Sequence, residues 1–546
     1  MAKSPDTVTR TKGREIKEEF LSGSDIPIKR VYSPEDIADI SYDKDIGLPG
    51  EPPFLRGIHP NMYRGRLWTI RRYSGTHTPE ETNKLYKREY ELGQTGFSIA
   101  LSVTTGYGLD SDDPRAAADV GVAGVPVDSL QDMEIMFDGL PVESVSTAIL
   151  TCPVSILPLT AMYCVMAEKR GVDLKQLNGT SLNDIMTQTS MSNWNVVPPP
   201  HTMRLAVDLI EWCCDNVPKW HPLLIDAYNY REQDISAFQE LALLLATAIG
   251  YIEEGKRRGR VPLDRFIRRF SFDMGCHNDF LEEIAKFRAA RRMWHRIVTE
   301  RYGITDPECM KFRLHVQSSG CTHTTAEPLN NIIRIAYQTL AAALGGAQSV
   351  HANSYEEGLC LPTEQGMLLS IRTEQILQEE TNIINTVDPL GGSYHLEWLT
   401  SELEQKTWDY LKKIDDLGGI VATIQSGWVH REYKEAILER QRRIASGETV
   451  VVGGNKHVLP TEPYKVPLHR ANPNATEIQA KKLQKLRMER DSGAVGRALE
   501  KLAEVALSDE NVMPAVIEAV KANATMAEMC GVFYKAYGVW RAPMSA

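Results

Sequence analysis

The chain has 546 residues, 42% apolar and 24% charged, which is ordinary globular composition with ample material for a large core. A formal net charge of −11 argues against a nucleic-acid surface, which needs clustered Lys and Arg. Nine cysteines, an odd number scattered without pairing geometry, fit a reducing, cytoplasmic setting, and the polar stretch Met1–Arg14 carries no secretory signal.

In chain order, residues 1–60 are rich in Pro, Asp and Lys and read as an extended N-terminal arm. Residues 61–420 alternate short β-prone runs with longer amphipathic stretches. The predicted strands are Trp68–Tyr73, Phe97–Val103, Ser144–Leu150, Leu223–Tyr228, Arg269–Met274, Phe312–Gln317 and Gln348–Ala352. The predicted helices include Pro79–Leu92, Thr202–Cys214, Ala237–Glu254, Asn278–Tyr302 and Leu329–Leu344. The most apolar of these segments, Leu241–Ile252, is too short to span a bilayer, so a soluble protein is expected. Residues 421–546 change character, with a linker or belt around Gly453–Lys456 followed by helices Glu477–Met488, Ala494–Ala506 and Pro514–Tyr537. The basic residues Lys481, Lys482, Lys485, Arg487 and Arg490 fall at helical spacing and read as a solvated face.

Strand–helix alternation over more than 300 residues implies a parallel sheet, and its length favours a closed (β/α)8 barrel. The strands themselves are unusual for such a barrel. Leu314 and Val316 alternate with His315 and Gln317, and Phe270 and Phe272 alternate with Arg269, Ser271 and Asp273. If the apolar faces pack against the helices, the polar faces line the axis, where an extended polar ligand can lie.

Familiar catalytic signatures are missing. The sequence has no Gly-rich phosphate loop, no zinc-spaced histidine pair and no Gly-x-Ser-x-Gly elbow, and Cys276–His277 stands as an isolated pair.

Six longer stretches carry more information. Trp68–Gly75, Leu109–Arg115, Asp119–Val125, Glu283–Arg291, Gln348–Ser354 and Asp388–Tyr394 resemble successive signatures of the methylmalonyl-CoA mutase family, in order and in spacing. The register runs from about residue 25 to about residue 490. The resemblance implies an acyl-CoA threaded down the barrel axis and adenosylcobalamin docked over the C-terminal mouth. In that family a separate flavodoxin-like unit carries the lower cobalt ligand on an Asp-x-His-x-x-Gly loop, and that motif does not occur here. The expectation is therefore a large, substrate-binding subunit that works with a small cobalamin-binding subunit, as a heterotetramer, and has no metal ligand of its own.

The same register implies roles for individual residues. Tyr73 matches a tyrosine that wedges against the adenosyl group, and Tyr228 an aromatic over the substrate. Met62, Arg66, Thr69, Arg71, Ser98, Thr180, Arg269, Ser271, His315, Gln317, Gln348 and Ser349 match positions facing the acyl-CoA, where guanidinium groups suit phosphate. Leu101, Ala123, Met191, Glu232, Gly320, Glu357 and Gly358 match positions near the cobalamin or its adenosyl arm.

Three departures bear on the substrate. Ser192 stands where methylmalonyl-CoA mutases have an arginine that grips the free carboxylate, and Leu182 where they have a glutamine beside the thioester. Asn229 stands where they have a histidine on the migrating carbonyl, and an amide donates a hydrogen bond without protonating. These changes imply that methylmalonyl-CoA is not the substrate. Tyr73 and Ala100 differ from the hydroxyisobutyryl type, which has a smaller aliphatic residue and an acid at those positions. Loss of the arginine favours a branched monocarboxylic thioester of the isobutyryl or pivalyl kind. Arg72, Arg231 and His277, near the mouth by register, keep open a bulky alkyl- or aryl-substituted malonyl- or succinyl-CoA. A barrel lyase would need a strand-end lysine or a metal site, and neither is apparent. A degenerate mutase acting as a scaffold is the non-enzymatic alternative.

Overall fold

The computed structural model describes residues 15–151, 153–187, 196–461 and 464–543. Among them, eight parallel strands close into a barrel in sequence order. Through its first five strands the barrel comprises β1 (Thr69–Ser74), helix α1 (Pro79–Glu91), β2 (Gly96–Ala100), β3 (Ser146–Leu150), α2 (Pro153–Lys169), β4 (Asn178–Leu182), α3 (Pro199–Asn216) and β5 (Trp220–Asp226). The second half adds α4 (Ala237–Arg258), β6 (Phe270–Cys276), α5 (Phe280–Arg296), β7 (Leu314–Ser318), α6 (Asn330–Leu344), β8 (Ser349–His351) and α7 (Glu364–Glu379). Outside it lie α8 (Tyr394–Asp416) and α9 (Trp428–Ser446), then α10 (Ala475–Glu489), α11 (Ser492–Ala506), α12 (Met513–Lys521) and α13 (Met526–Tyr537).

The expected (β/α)8 fold is the observed one, with corrections of detail. Strand β4 was not expected, because Asn178-Gly179-Thr180-Ser181 offers a single β-branched residue, Thr180, and no aromatic, beside two residues depleted in strands. Its glycine is required by crowding: a Cβ at Gly179 would lie 2.2 Å from the Thr147 carbonyl and 2.4 Å from the Trp220 ring. Helix α2 also escapes the periodicity, since it is buried from Pro153 to Ala167 and so shows no polar face. Strand β5 stops at Asp226, and Tyr228 belongs to the short helix Ala227–Arg231 that follows. The helix expected over Pro514–Tyr537 breaks in two: Asn523 adopts φ +64°, and Thr525 with Glu528 forms a capping box that starts α13.

The alternation of polar and apolar residues does what the strand patterns imply. Phe270, Phe272, Leu314 and Val316 turn outward into the core beneath the helices, where Phe272 stacks on Phe312 at 3.9 Å. Residues of the N-terminal segment join the same core through Ile26, Phe54 and Ile58. Arg291 of α5 donates to the carbonyls of Phe54 and Leu55, holding that segment in place. A second core gathers residues of the tail helices, among them Leu502, Val516, Met529 and Phe533, around Phe97, Tyr163 and Trp220 of the barrel.

A buried ionic knot ties the loop after β5 to α4 and α5. Lys286 Nζ lies 2.5 Å from both Glu240 and Glu283, and donates to the Gly275 carbonyl at 2.7 Å. Arg231 reaches Glu283 at 3.2 Å. Among the described residues no helix is long and apolar enough to cross a membrane.

Candidate active site

A channel of about 540 Å³ runs along the barrel axis from the N-terminal side. Its entrance is built by the segment 58–69, which carries the short helix Met62–Gly65, and by the starts of the strands. Met62, Arg66, Thr69, Arg71, Ser98, Thr180, Ser271, His315, Gln348 and Ser349 all line it. The polar wall is internally bonded: Thr180 donates to the His221 carbonyl at 2.8 Å, and His315 Nδ1 lies 2.7 Å from Ser349 Oγ. Gln348 is committed to structure, its carbonyl accepting from Leu314 N and its amide donating to Gly346 O, each at 2.8 Å. Arg71 differs. One guanidinium nitrogen donates to Ser146 Oγ at 2.5 Å, while Nε and Nη1 have no partner. Burial pushes Arg71 down to about 10, and an anionic or carbonyl ligand in the channel would satisfy it.

Arg269 precedes β6 and is not among the channel-lining residues; its peptide carbonyl lies 3.2 Å from His221 Nδ1. Gln317 turns inward one step beyond His315 and donates to Asn353 at 3.0 Å. Met191 and Ser192 lie outside the described residues.

Toward the C-terminal ends the inward positions become Tyr73, Ala100, Leu150, Leu182, Leu224, Asp226 and Asp273. Leu150, Leu182 and Leu224, on neighbouring strands, make an aliphatic wall. Tyr73 stays 36% exposed, and its amide donates to His351 Nδ1 at 3.0 Å. Asn229 is already engaged: its backbone N–H donates to Asp226 at 3.1 Å and its side-chain amide donates to the same carboxyl. Burial holds the axial histidines neutral, with His221 and His315 both pushed down to about 3, helped by nearby arginines. Burial pushes the carboxyls of Asp226 and Asp273 the other way, above the usual carboxylate range.

At the mouth, Glu232 accepts from Cys321 N at 2.7 Å. A Cβ on Gly320 would lie 3.1 Å from Glu232 Oε2 and 3.4 Å from the Tyr228 hydroxyl. Leu101 bridges to Val125, while Ala123, Glu357 and Gly358 are exposed beside the mouth.

Residues 21–539 match the family described as methylmalonyl-CoA mutase. The chain belongs to the methylmalonyl-CoA mutase family. It is 38% identical over 530 residues to the 2-hydroxyisobutanoyl-CoA mutase large subunit of Aquincola tertiaricarbonis, covering 97% of this chain and 93% of that one. It is 40% identical over 512 residues to a probable mitochondrial methylmalonyl-CoA mutase of Caenorhabditis elegans, covering 94% of this chain and 68% of the relative. The human mitochondrial methylmalonyl-CoA mutase is 36% identical over 518 residues, 95% of this chain and 68% of its own length. Membership makes the protein an isomerase of the adenosylcobalamin-dependent acyl-CoA mutase class.

The mouth of this mutase fits such a cofactor. Glu232 Oε1, Ser319 Oγ and Ser354 Oγ are buried there without a protein partner, as groups awaiting a polar ligand would be, and Gly320 keeps the surface between them open. Glu232, Gly320 and Tyr228 are thus the residues that would hold it.

The mutase also corrects one reading of the mouth. Neither Arg72 nor Arg231 is available to a substrate carboxylate. Arg72 is buried in an ion pair with Glu89 at 3.3 Å, and Arg231 belongs to the ionic knot around Glu283. His277 joins Asp234 and Cys321 in a group whose ligand atoms lie within 4.8 Å of one another, though Asp234 is also paired with Arg440. No sequence spacing could reveal that group, whose members come from three separate loops. Asp226 and Asp273 were also missed as functional residues, although strand alternation had put Asp273 on the polar face.

Proposed function

We propose that this mutase rearranges the carbon skeleton of a branched monocarboxylic acyl-CoA, and that it does so with a small cobalamin-binding subunit. The supporting observation is the acyl end of the channel. Beyond Tyr73, its described inward strand residues are aliphatic or carboxylic, and Arg72 and Arg231 are spent on Glu89 and Glu283. A second free carboxylate on the substrate would lose its water there without gaining a cation. Ser192 in place of a gripping arginine adds to this from the sequence. The partner is supported by the near-equal length of a relative named as a large subunit, of which the chain covers 93%.

Adenosylcobalamin, when bound, supplies the radical that takes a hydrogen from the substrate and gives it back. The chain's own residues bind, orient and exclude water. Arg71 offers two unpartnered N–H groups to the CoA arm, and Thr180, Ser271 and His315 set a polar track beside it. Neutral His315 can donate or accept a hydrogen bond but carries no charge to repel the arm's cationic neighbour Arg71. The wall of Leu150, Leu182 and Leu224 receives the branched alkyl group and keeps the reacting carbons dry.

The test is a substrate panel with purified large and small subunits and the cofactor. Isobutyryl- or pivalyl-type thioesters are expected to turn over with a kcat/KM at least about tenfold above methylmalonyl-CoA, the loss of one charged anchor being worth at least that much. Faster turnover of methylmalonyl-CoA, or of substituted succinyl-CoA alone, would overturn the reading. Absence of turnover with every thioester would favour a scaffold.

A further inference from the structure

The loops that follow β5, β6 and β7 bring three metal-ligating side chains together beside the mouth. Asp234 comes from the turn after the short helix Ala227–Arg231, His277 directly follows β6, and Cys321 sits in the turn Gly320–Thr322 after β7. A carboxylate oxygen, an imidazole nitrogen and the thiol sulfur lie within 4.8 Å of one another. Around a tetrahedral zinc ion such atoms stand about 3.5 Å apart, so shifts of about 1 Å would close all three on one ion.

Each ligand is prepared in its own way. Neither ring nitrogen of His277 has a hydrogen-bond partner among the described residues, and burial pushes the imidazole down to about 3, so it presents a neutral lone pair. Asp234 gives one carboxylate oxygen to Arg440, which leaves the other for an ion and fixes the group's orientation. Arg440 also donates to the Cys321 carbonyl at 2.9 Å, so one guanidinium holds two of the three loops. Asp234 keeps its place at φ +62°, a left-handed backbone that glycine would hold at less cost. The Cys321 thiol is hydrogen-bonded to Glu232, and burial beside that acid pushes it well above its usual range. A bound cation would draw out the thiolate.

The surrounding charges leave room for such a cation. Inside the ionic knot, Glu240 and Glu283 are matched by Lys286 and Arg231. Outside it, Arg440 balances Asp234, and among the described residues Glu232 has no ion pair. A divalent ion would compensate both Glu232 and a Cys321 thiolate. One sulfur, one nitrogen and one oxygen suit Zn2+, whereas Mg2+ and Ca2+ take oxygen alone.

We propose that Asp234, His277 and Cys321 form a zinc site, its fourth position open to water, that pins the loops after β5, β6 and β7 to one another at the rim of the barrel. On binding, the thiol gives up its proton through Glu232 to solvent and the sulfur coordinates as thiolate. The site is separate from the cobalt centre and does not depend on which acyl group the channel takes.

The experiment uses the full-length large subunit, stripped of metal and then titrated with Zn2+ against a chromophoric chelator and, separately, with Co2+ alone. The wild type should take up one Zn2+ per chain, and its Co2+ form should show tetrahedral absorption with a thiolate-to-cobalt charge-transfer band. Cys321→Ser should abolish that band and weaken Zn2+ binding by more than about a hundredfold, a ligand mattering more than the groups that support it. His277→Gln and Asp234→Asn should each weaken it by at least about tenfold. Cys360→Ser, which removes another partly exposed thiol, should change neither readout. A wild type that takes up no Zn2+, a Co2+ form without the charge-transfer band, or binding that survives all three ligand substitutions would overturn the proposal. The stoichiometry and the Co2+ spectrum need no variant, so they decide the matter even where a substituted chain does not fold.

Discussion

At the scale of single residues, the channel is a row of polar side chains whose charges have been suppressed by burial. His315 shows the consequence most clearly. Its imidazole is held down to about 3 in the folded chain, against about 6.5 when unfolded. The unfolded state therefore takes up a proton below pH 6.5 that the native state refuses until about pH 3, so His315 costs stability as the pH falls through that window. His315→Gln removes this cost. Its unfolding free energy should fall less steeply than the wild type's between pH 6.5 and 4, the two curves separating by up to about 3 kcal/mol. Urea melts across that range would show it, and parallel curves would contradict it. Much of this row was legible in the sequence, because strand alternation puts His315, Ser271 and Asp273 on one face with no knowledge of the fold. The partners of Arg72 and Arg231 were not legible. Glu89 lies on α1 and Glu283 on α5, and nothing in the local spacing joins them to those arginines. Met191 and Ser192 keep only their sequence-based reading, being outside the described residues.

At the scale of elements, the legible parts were those with a repeating pattern. The amphipathic helices α1, α3, α4 and α6 and the alternating strands β6 and β7 appear close to where their periodicity put them. What failed had no pattern to read. Strand β4 earns its place through Gly179, which lets Trp220 and the Thr147 carbonyl approach, and α2 is apolar on every side. The junction between α4, α5 and β6 depends on one lysine. Lys286 is wholly buried between Glu240 and Glu283, and Lys286→Met leaves two carboxylates competing for Arg231. Breaking such a buried network by removing one partner should cost about 3–5 kcal/mol, measured by denaturant unfolding. A loss under about 1 kcal/mol would mean that the carboxylates are already neutral or hydrated.

At the scale of the whole molecule, the barrel is held from both flanks. The N-terminal segment adds Ile26, Phe54 and Ile58 to the main core, and the tail helices build a second core against α2 and β2. Phe533, fully buried in α13, belongs to that second core. Phe533→Ala should cost about 3–4 kcal/mol and speed proteolysis within residues 492–537 before the barrel itself is cut. Uniform cleavage across the chain would show instead that tail and barrel unfold as one unit. The barrel and its polar axis could be read from sequence, and family membership from six stretches in register. The acyl group could not, since it depends on which charges are already paired in three dimensions. That dependence gives the central claim its most direct test. Large subunit, small cobalamin-binding subunit and adenosylcobalamin are mixed without oxygen, and the cofactor's visible absorption is followed on adding a thioester. The account predicts a rapid spectral change with a branched monocarboxylic acyl-CoA and little with methylmalonyl-CoA; an equal or faster change with methylmalonyl-CoA would contradict it.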